Sequence, residues 1–381
     1  AVRDREMVFQ RETSAFAEAQ EYIFKHALLR EVTYDSVLKR LRRAYHGLVA
    51  DWMLEQAGER AEEYTGLIAD HLELAGRSEE AVDYLLEAGD RARGLYAHRE
   101  AEGYYQRALR FLEQRGQHET AARTLMKLGL TYHNAFDFPR SREAYDEAFA
   151  LWQRAADGEP STPPSPADQP LRMAWGVDFT LDPALEGTVG GIWMQEQLFS
   201  GLLAASPTLD IAPNVAQSWE VSEGGRRYLF HLRDDVRWSD GRPVTAGDFA
   251  YAWRRVLDPA TGSPNAEILY DVLGARAFHQ GEASHPDRLG VRAPDDLTLE
   301  VELVEPTGHF LQLLATSSTF PLPRHVVQAH GHSWTEPGKL VSNGPFLLDG
   351  RSSEDRMVLV RTPDYHGRST GSLPRVEISL L

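Results

Sequence analysis

The sequence predicts a multidomain protein in which an all-α solenoid of helical hairpins precedes an α/β domain. Three observations lead to this prediction. Small and apolar residues recur at a step of twenty positions through the first part of the chain. Residues 157–170 then hold five Pro in fourteen positions, which neither a helix nor a central strand accommodates. Beyond residue 171, apolar–polar alternation and Gly/Pro punctuation replace the helical pattern.

The repeat in the first half consists of three rows of residues. The rows are Ala61, Ala81, Ala101, Ala121 and Ser141; Thr65, Leu85, Tyr105, Leu125 and Tyr145; and Ile68, Ala88, Ala108, Leu128 and Ala148. Offsets of four and seven lie on one helical face, so each row is expected to be buried. A step of twenty is one helix and one turn, and arrays of such hairpins stack into solenoids. We therefore expect helical repeats over 61–156, a helical region leading into them over 1–60, and a Pro-rich linker over 157–170.

One unit of this array, "LMKLGLTYHNAFDFPRSREAYDEAFAL", resembles a tetratricopeptide repeat. A second stretch fits the same template through Gly89, Ala101, Tyr105 and Ala108. A generic helical bundle is the alternative interpretation. The resemblance implies a concave surface for a protein partner and no catalysis.

The segment "EYIFKHALLREVTYDSVLKRLRRAYHGLVADWMLE", residues 21–55, resembles the stretch that joins an AAA-type signalling ATPase module to helical repeats in fusions with nucleotide cyclases. The Walker sequence GxxxxGK[ST] does not occur in the 381 residues, so any catalytic domain is expected upstream of Ala1. The basic run between Lys39 and Arg43 is interpreted as a solvated helix face rather than a DNA-binding one.

Composition excludes several classes of function. The formal charge of −17 disfavours nucleic-acid binding, and the absence of Cys excludes disulfides and thiolate sites. We find no run of about 18 apolar residues that predicts a transmembrane helix, and no signal peptide. Since the chain starts at Ala1 without Met and stops in the strand pattern "PRVEISLL", we expect a fragment. The pair His330 and His332 lacks further ligands at metal-site spacing, so no metal site is predicted. No cofactor and no catalytic residue are predicted either.

The stretch "VRWSDGRPVTAGDFAYAWRRVLDP", residues 236–259, predicts a strand end, a turn and a capped helix. Thr245 precedes Asp248 by three, which is a variant capping box, and Asp258 before Pro259 ends the helix. Its two Trp residues, Trp238 and Trp253, are interpreted as packing residues, with ligand contact as the alternative.

This stretch resembles the signature of the extracellular solute-binding proteins of family five, which include oligopeptide- and dipeptide-binding proteins. The likeness runs from Leu171 to Leu381 through several collinear segments, among them "TLDPALEG", "QLFSGLLAASPTLDIAPNVAQSWEVSEGGRRYLFHLR" and "KLVSNGPFLLDG". The resemblance implies the first part of an α/β domain like the type II periplasmic binding proteins, truncated here. Such domains close two lobes around a peptide and catalyse nothing.

The resemblance also implies the ligand-binding residues. The loop after Asp182-Pro183 is expected to line the cleft, and "GSPNAEILYDVL" places Asn where peptide binders often have Tyr. The candidate ligand-binding residues are Glu186, Gly187, Thr188, Val189, Trp193 and Asn265. For Trp193, packing beneath the pocket is the alternative.

We therefore expect a non-catalytic module that binds an oligopeptide or another small solute, coupled to protein-interaction repeats in a larger, cytoplasmic signalling protein. Three alternatives stay open. One is an exported, membrane-associated receptor of a peptide ABC transporter, and another is the regulatory tail of a nucleotide cyclase or AAA-type ATPase. The third is a degenerate binder that serves only as an interaction scaffold.

Overall fold

The computed structural model divides the chain into two compact units, Ala1–Thr131 and Tyr132–Leu381. The residues that it describes are 7–11, 20–57, 63–156, 170–176, 179–205, 210–282, 288–349, 356–367 and 373–380.

The first unit is helical after a short antiparallel strand pair. Its elements are β1 Val8–Gln10, β2 Tyr22–Phe24, α1 Ala27–Ser36, α2 Lys39–Ala57, α3 Thr65–Ala75, α4 Ser78–Gly94, α5 His98–Gln114 and α6 His118–Asn134. The last three residues of α6, from Tyr132 onward, belong to the second unit. The strand pair is an exception to the helical region predicted over residues 1–60. Aromatic and β-branched residues, such as Val8, Phe9 and Ile23, suit strands better than helices.

The predicted face of the repeats is buried wherever it is described. Ala81, Ala101 and Ala121 are at most 1% exposed, and the rows four and seven positions further on are buried as well. Helices α4, α5 and α6 begin at Ser78, His98 and His118, one step of twenty apart. Ala61 lies outside the described residues. Whether these helices are tetratricopeptide repeats stays a prediction.

A close helix contact explains Gly89 in the repeat template. A Cβ at Gly89 would lie 2.5 Å from the ring of Tyr105 on α5. The hydroxyl of Tyr105 donates to the carboxylate of Asp90 at 2.7 Å, and Lys127 Nζ lies 2.7 Å from the same carboxylate. Gly89 therefore lets α4 and α5 approach, and Asp90 ties α4 to both α5 and α6.

The second unit combines helices with sheets. Its elements are α7 Phe138–Ala156, β3 Leu171–Trp175, α8 Val189–Leu198, β4 Leu203–Ala205, β5 Ile211–Pro213, β6 Ala216–Ser222, β7 Arg227–Leu232, α9 Ala246–Leu257, α10 Ala275–His279, β8 Val291–Asp295, β9 Thr298–Glu302, α11 Phe310–Leu313, α12 Arg324–His330, β10 Phe346–Leu348, β11 Arg356–Arg361 and β12 Arg375–Leu380. Short 3₁₀ turns occupy 266–269, 317–319 and 331–335.

Two four-stranded sheets organise this unit. One has the order β6-β7-β9-β8 and is antiparallel. The other has the order β10-β11-β12-β3, and in it β3 pairs in parallel with β12, so that Trp175 lies opposite Leu380. Strands β4 and β5 form a separate antiparallel pair. The alternation predicted for β7 is confirmed, since Tyr228, Phe230 and Leu232 are buried.

Helix α9 has the predicted start and stop. The carboxylate of Asp248 accepts from the backbone N–H of Thr245 at 2.9 Å, and the C-cap is Asp258. Burial raises the pKa of Asp248, while the hydrogen bonds from Thr245 and Trp238 oppose that rise. Trp238 and Trp253 are at most 2% exposed, so the packing interpretation is confirmed for both.

Helix α7 packs on the antiparallel sheet of its own unit. Tyr145 and Phe149 each meet the ring of Trp219 on β6 with centroids 5.0 Å apart. Just before α7, the fully buried His133 lies with Nε2 3.1 Å from the hydroxyl of Tyr228. The second compact unit thus begins upstream of the predicted linker, which lies outside the described residues except for Pro170.

Among the described helices, none has both the length and the apolar character needed to cross a bilayer.

Candidate functional site

The candidate site is the loop over residues 180–188, which leads into α8, and its centre is a buried carboxylate. Glu186 is 2% exposed, and its carboxylate accepts from the backbone N–H groups of Thr180 at 2.7 Å, of Gly187 at 2.8 Å and of Thr188. The loop therefore wraps around this side chain. Glu186 holds the loop in shape rather than presenting its charge to a ligand.

A second buried carboxylate fastens the loop to the rest of the unit. Asp182 accepts two hydrogen bonds from the guanidinium of Arg255 on α9, at 2.8 and 2.6 Å. The indole N–H of Trp334 donates to the same carboxylate at 3.0 Å. A bidentate pair of this kind fixes geometry as well as charge. Sequence reasoning found the "LDP" text but not Arg255, because 73 residues separate the partners.

Asn265 joins three segments of the chain. Its side-chain amide donates to the carbonyl of Glu186 at 2.5 Å and to the hydroxyl of Ser318 at 3.1 Å. This predicted ligand residue thus lies beside the loop, as the resemblance implied, but its amide N–H groups are engaged within the protein. Ser318 was not found from the sequence, which carries no local signal for it.

The start of α8 is built by Thr188 and two glycines. The hydroxyl of Thr188 accepts from the N–H of Gly191 at 3.1 Å, which caps the helix. A Cβ at Gly191 would lie 1.8 Å from the carboxylate of Glu186, so only glycine lets the helix pass this close. The first bond inside the helix runs from Ile192 N to Thr188 O. By position, the N–H groups of Val189 and Gly190 therefore have no acceptor within the helix.

Gly187, Thr188 and Val189 are the exposed residues of this loop, and Val189 is 86% exposed. We call these three residues the exposed tip. Beneath it, Glu186 and Asn265 are hydrogen-bonded within the protein. Gln195 on α8 donates to the carbonyl of Thr180 at 3.2 Å, and its buried Oε1 has no hydrogen-bond partner among the described residues. The arrangement presents backbone to solvent over a base of polar side chains.

Trp193 follows Val189 by one turn of α8. Its ring stacks on that of Trp175 at the end of β3, with centroids 5.0 Å apart and planes 25° apart. Both side chains are partly exposed. A Cβ at Gly190 would lie 2.9 Å from the indole nitrogen of Trp175, so the helix start also contacts this ring closely. Trp193 thus packs on a neighbouring ring, as the packing interpretation expects. Its side chain also stays partly exposed, so a contact with a ligand remains a prediction.

The "SNGPF" turn supports the far end of α8. Asn343 is buried, accepts from the N–H of Ser200 at 3.0 Å and donates to its carbonyl at 3.1 Å. A Cβ at Gly344 would lie 2.3 Å from the backbone of Leu198. These contacts give the turn a structural role.

The described part of the chain contains no group of three or more His, Cys, Asp or Glu arranged to hold a metal ion. His330 ends α12, and His332 lies in the 3₁₀ turn that follows it. The site offers hydrogen-bond donors, an apolar tip and two aromatic rings. These groups suit binding by shape and backbone contact.

Comparison with known proteins finds a family match and several relatives. Residues 210–381 match the family of bacterial extracellular solute-binding proteins, family 5. A probable deoxycholate-binding periplasmic protein of Escherichia coli K12, YgiS, is 40% identical over 228 residues, covering 58% of this chain and 42% of that protein. The periplasmic oligopeptide-binding protein OppA of the same organism is 42% identical over 174 residues, covering 45% of this chain and 32% of that protein.

Solved structures show the same likeness. The substrate-binding domain of an oligopeptide ABC transporter from Bacillus anthracis is similar with a TM-score of 0.54 and 33% identity, covering 57% of this chain and 42% of that one. The chain thus spans less than half of the length of these relatives. The expected family 5 domain and its fold, like the periplasmic binding proteins, are confirmed, whereas a tetratricopeptide solenoid is not shown.

The comparisons also correct one prediction. A cytoplasmic location was predicted from the sequence, partly because no signal peptide was recognised in it. The relatives YgiS and OppA are periplasmic proteins by name, so the cytoplasmic prediction was wrong and the family points to an extracytoplasmic location.

Proposed function

We propose that the family 5 solute-binding domain of this chain captures a peptide or a similar small solute outside the cytoplasm, as the receptor of an ABC transporter. The observation that carries the proposal is the exposed tip, Gly187 to Val189, held by hydrogen bonds over the buried Glu186 and the half-buried Asn265. A tip that is already ordered before binding lowers the entropy cost of forming the complex.

The mode of binding follows from the groups on offer. Peptides bound through their main chain need backbone donors and acceptors at fixed positions, as in strand addition. The N–H groups of Val189 and Gly190 stand at the start of α8, where the helix dipole favours a carbonyl or carboxylate oxygen. We infer that one of these N–H groups donates to the backbone of the ligand.

The relatives support the receptor over the cytoplasmic signalling module and over the regulatory tail of a cyclase or ATPase. One relative is named as an oligopeptide-binding protein, and a similar solved structure is named as the substrate-binding domain of an oligopeptide ABC transporter. One relative is named for deoxycholate, so a bile acid is the second ligand class to test. For the helices of the first unit we propose a protein-interaction role, because arrays of stacked helical repeats present an extended concave surface to partners.

The inferred donor is tested by replacing Val189 with Pro, which removes its N–H. Pro is favoured at the first position of a helix, and Thr188 already has φ −103 and ψ 147, which suits the residue before Pro. Val189→Pro is therefore expected to fold. Val189→Ala is the matched control, because it shortens the side chain and keeps the N–H.

Isothermal titration of the full chain against pools of tri- to pentapeptides, and separately against deoxycholate, provides the measurement. We expect a peptide to bind, Val189→Ala to keep most of the affinity, and Val189→Pro to lose about tenfold, the equivalent of one hydrogen bond of ~1.5 kcal/mol. Absence of heat with every peptide pool would refute peptide capture. Equal affinity of the two variants would refute the donor role of Val189.

A further inference from the structure

We propose that Trp175 and Trp193 form an aromatic platform beside the exposed tip, and that this platform selects peptides with an aromatic side chain at one defined position. The inference rests on the proposed function, because it names the ligand class of the same site.

The platform is continuous with the tip. Trp193 lies four residues after Val189, so the two side chains share one face of α8. Trp175 is the last residue of β3, and its ring lies against Gly190. Strand β3 ends at Trp175, and α8 begins beside the platform.

Spacing connects the platform to the backbone donors. One helical turn carries Val189 to Trp193, a rise of about 6 Å along α8. Side chains on the same side of an extended peptide are about 7 Å apart. A ligand whose backbone is held at the N–H of Val189 therefore brings a neighbouring side chain over the ring of Trp193.

The geometry of the pair favours a flat apolar group. The two indoles are stacked, with centroids 5.0 Å and planes 25° apart, so each ring has one face against its partner and the other face turned away from it. Both keep partial exposure, which leaves aromatic area for a ligand to cover. A third ring gains from stacking in addition to the apolar area that it buries.

The exposure of Trp175 and Trp193 argues against a purely structural pair. Large buried aromatics elsewhere in this unit, such as Trp219, Trp253 and Trp334, are at most 1% exposed. Trp253 and Trp334 also place their indole N–H on an acceptor, at 2.8 and 3.0 Å. Trp175 and Trp193 differ in lying at the surface, next to the most exposed apolar residue of the loop.

The test is a phenylalanine scan of the ligand. Affinities of the full chain for tetra-alanine and for the four tetrapeptides with a single Phe are measured by isothermal titration. We expect Phe at one position to tighten binding by about twofold to tenfold over tetra-alanine, the range that aromatic pairs contribute. Phe at the other three positions is expected to change affinity less.

Variants of Trp193 assign that preference to the platform. Trp193→Leu keeps an apolar side chain without a ring and is expected to abolish the preference while tetra-alanine still binds. Trp193→Phe keeps a ring and is expected to retain it. The scan on the unaltered chain needs no variant to fold, so the inference stays open to refutation even if Trp193→Leu is unstable.

The outcomes separate the two proposals. Binding of tetra-alanine with no positional preference for Phe overturns the platform and leaves peptide capture standing. A preference for Phe that survives in Trp193→Leu also overturns the platform. No binding of any peptide overturns peptide capture and the platform with it.

Discussion

The substitution Gly191→Ala tests whether a buried carboxylate holds the binding loop in shape. In the structure, a Cβ at Gly191 would lie 1.8 Å from Oε2 of Glu186 and 2.0 Å from its Cδ. Neither atom is the free end of a mobile chain, since the carboxylate accepts from three backbone N–H groups of the loop. The added methyl group therefore displaces Glu186 from its hydrogen bonds.

The size of the effect follows from those bonds. Hydrogen bonds to a charged group contribute about 1.5–3 kcal/mol each, and water replaces part of this at an exposed loop. We take the net loss as about 3 kcal/mol. Ala exceeds Gly in helix propensity by about 1 kcal/mol at this position of α8. The loop should thus be destabilised by about 2 kcal/mol, which corresponds to roughly a 30-fold rise in its opening equilibrium.

Amide hydrogen exchange of the full chain measures this opening locally. Protection at Thr180, Gly187 and Thr188 is expected to fall about 30-fold in Gly191→Ala, with little change in α9. The matched control is Gly187→Ala, where the Cβ would lie 3.4 Å from Pro264, an ordinary contact. Unchanged protection in Gly191→Ala, or an equal loss in Gly187→Ala, would refute the reasoning that Glu186 organises the loop.

Two further predictions concern the stability of the second unit. Asp182→Asn should lower its free energy of unfolding by about 3 kcal/mol, because the guanidinium of Arg255 loses its buried partner; a loss below about 1 kcal/mol in urea unfolding would contradict this. Burial lowers the pKa of His133 from 6.5 to about 4, so the unfolded chain takes up its proton first as the pH falls. Stability is therefore expected to drop by about 3 kcal/mol between pH 6.5 and pH 4 through this group, and His133→Gln should lose that share of the pH dependence. Equal slopes for the two proteins would show that His133 does not titrate this way.

Local patterns in the sequence were sufficient where a single element carries the signal. Thr245 and Asp248 predicted the start of α9, and the alternation of Tyr228, Phe230 and Leu232 predicted β7. Both depend on neighbours within a few residues, where helix caps and the period of a strand act. The collinear motifs after residue 171 identified the solute-binding family for the same reason, since they are read along the chain.

The sequence predicted which stretch of the chain forms the site, but not what each side chain in it contacts. The sequence pointed to Glu186, Thr188 and Asn265 together, and the structure brings them together. It could not show that Glu186 faces inward, because that depends on the three N–H groups folded around it. Trp175 was missed altogether, since its partner Trp193 lies on another element.

The sequence by itself determined the periods, the caps, the buried helical face and the likeness of residues 210–381 to the solute-binding family, because each is encoded in residues close along the chain. Tertiary structure alone decided which distant groups meet. It paired Asp182 with Arg255 over 73 residues, Asn265 with Glu186 over 79, and His133 with Tyr228 over 95. Such pairs depend on the packing of whole elements, and a carboxylate or an amide looks the same in sequence whether it meets a ligand or its own backbone.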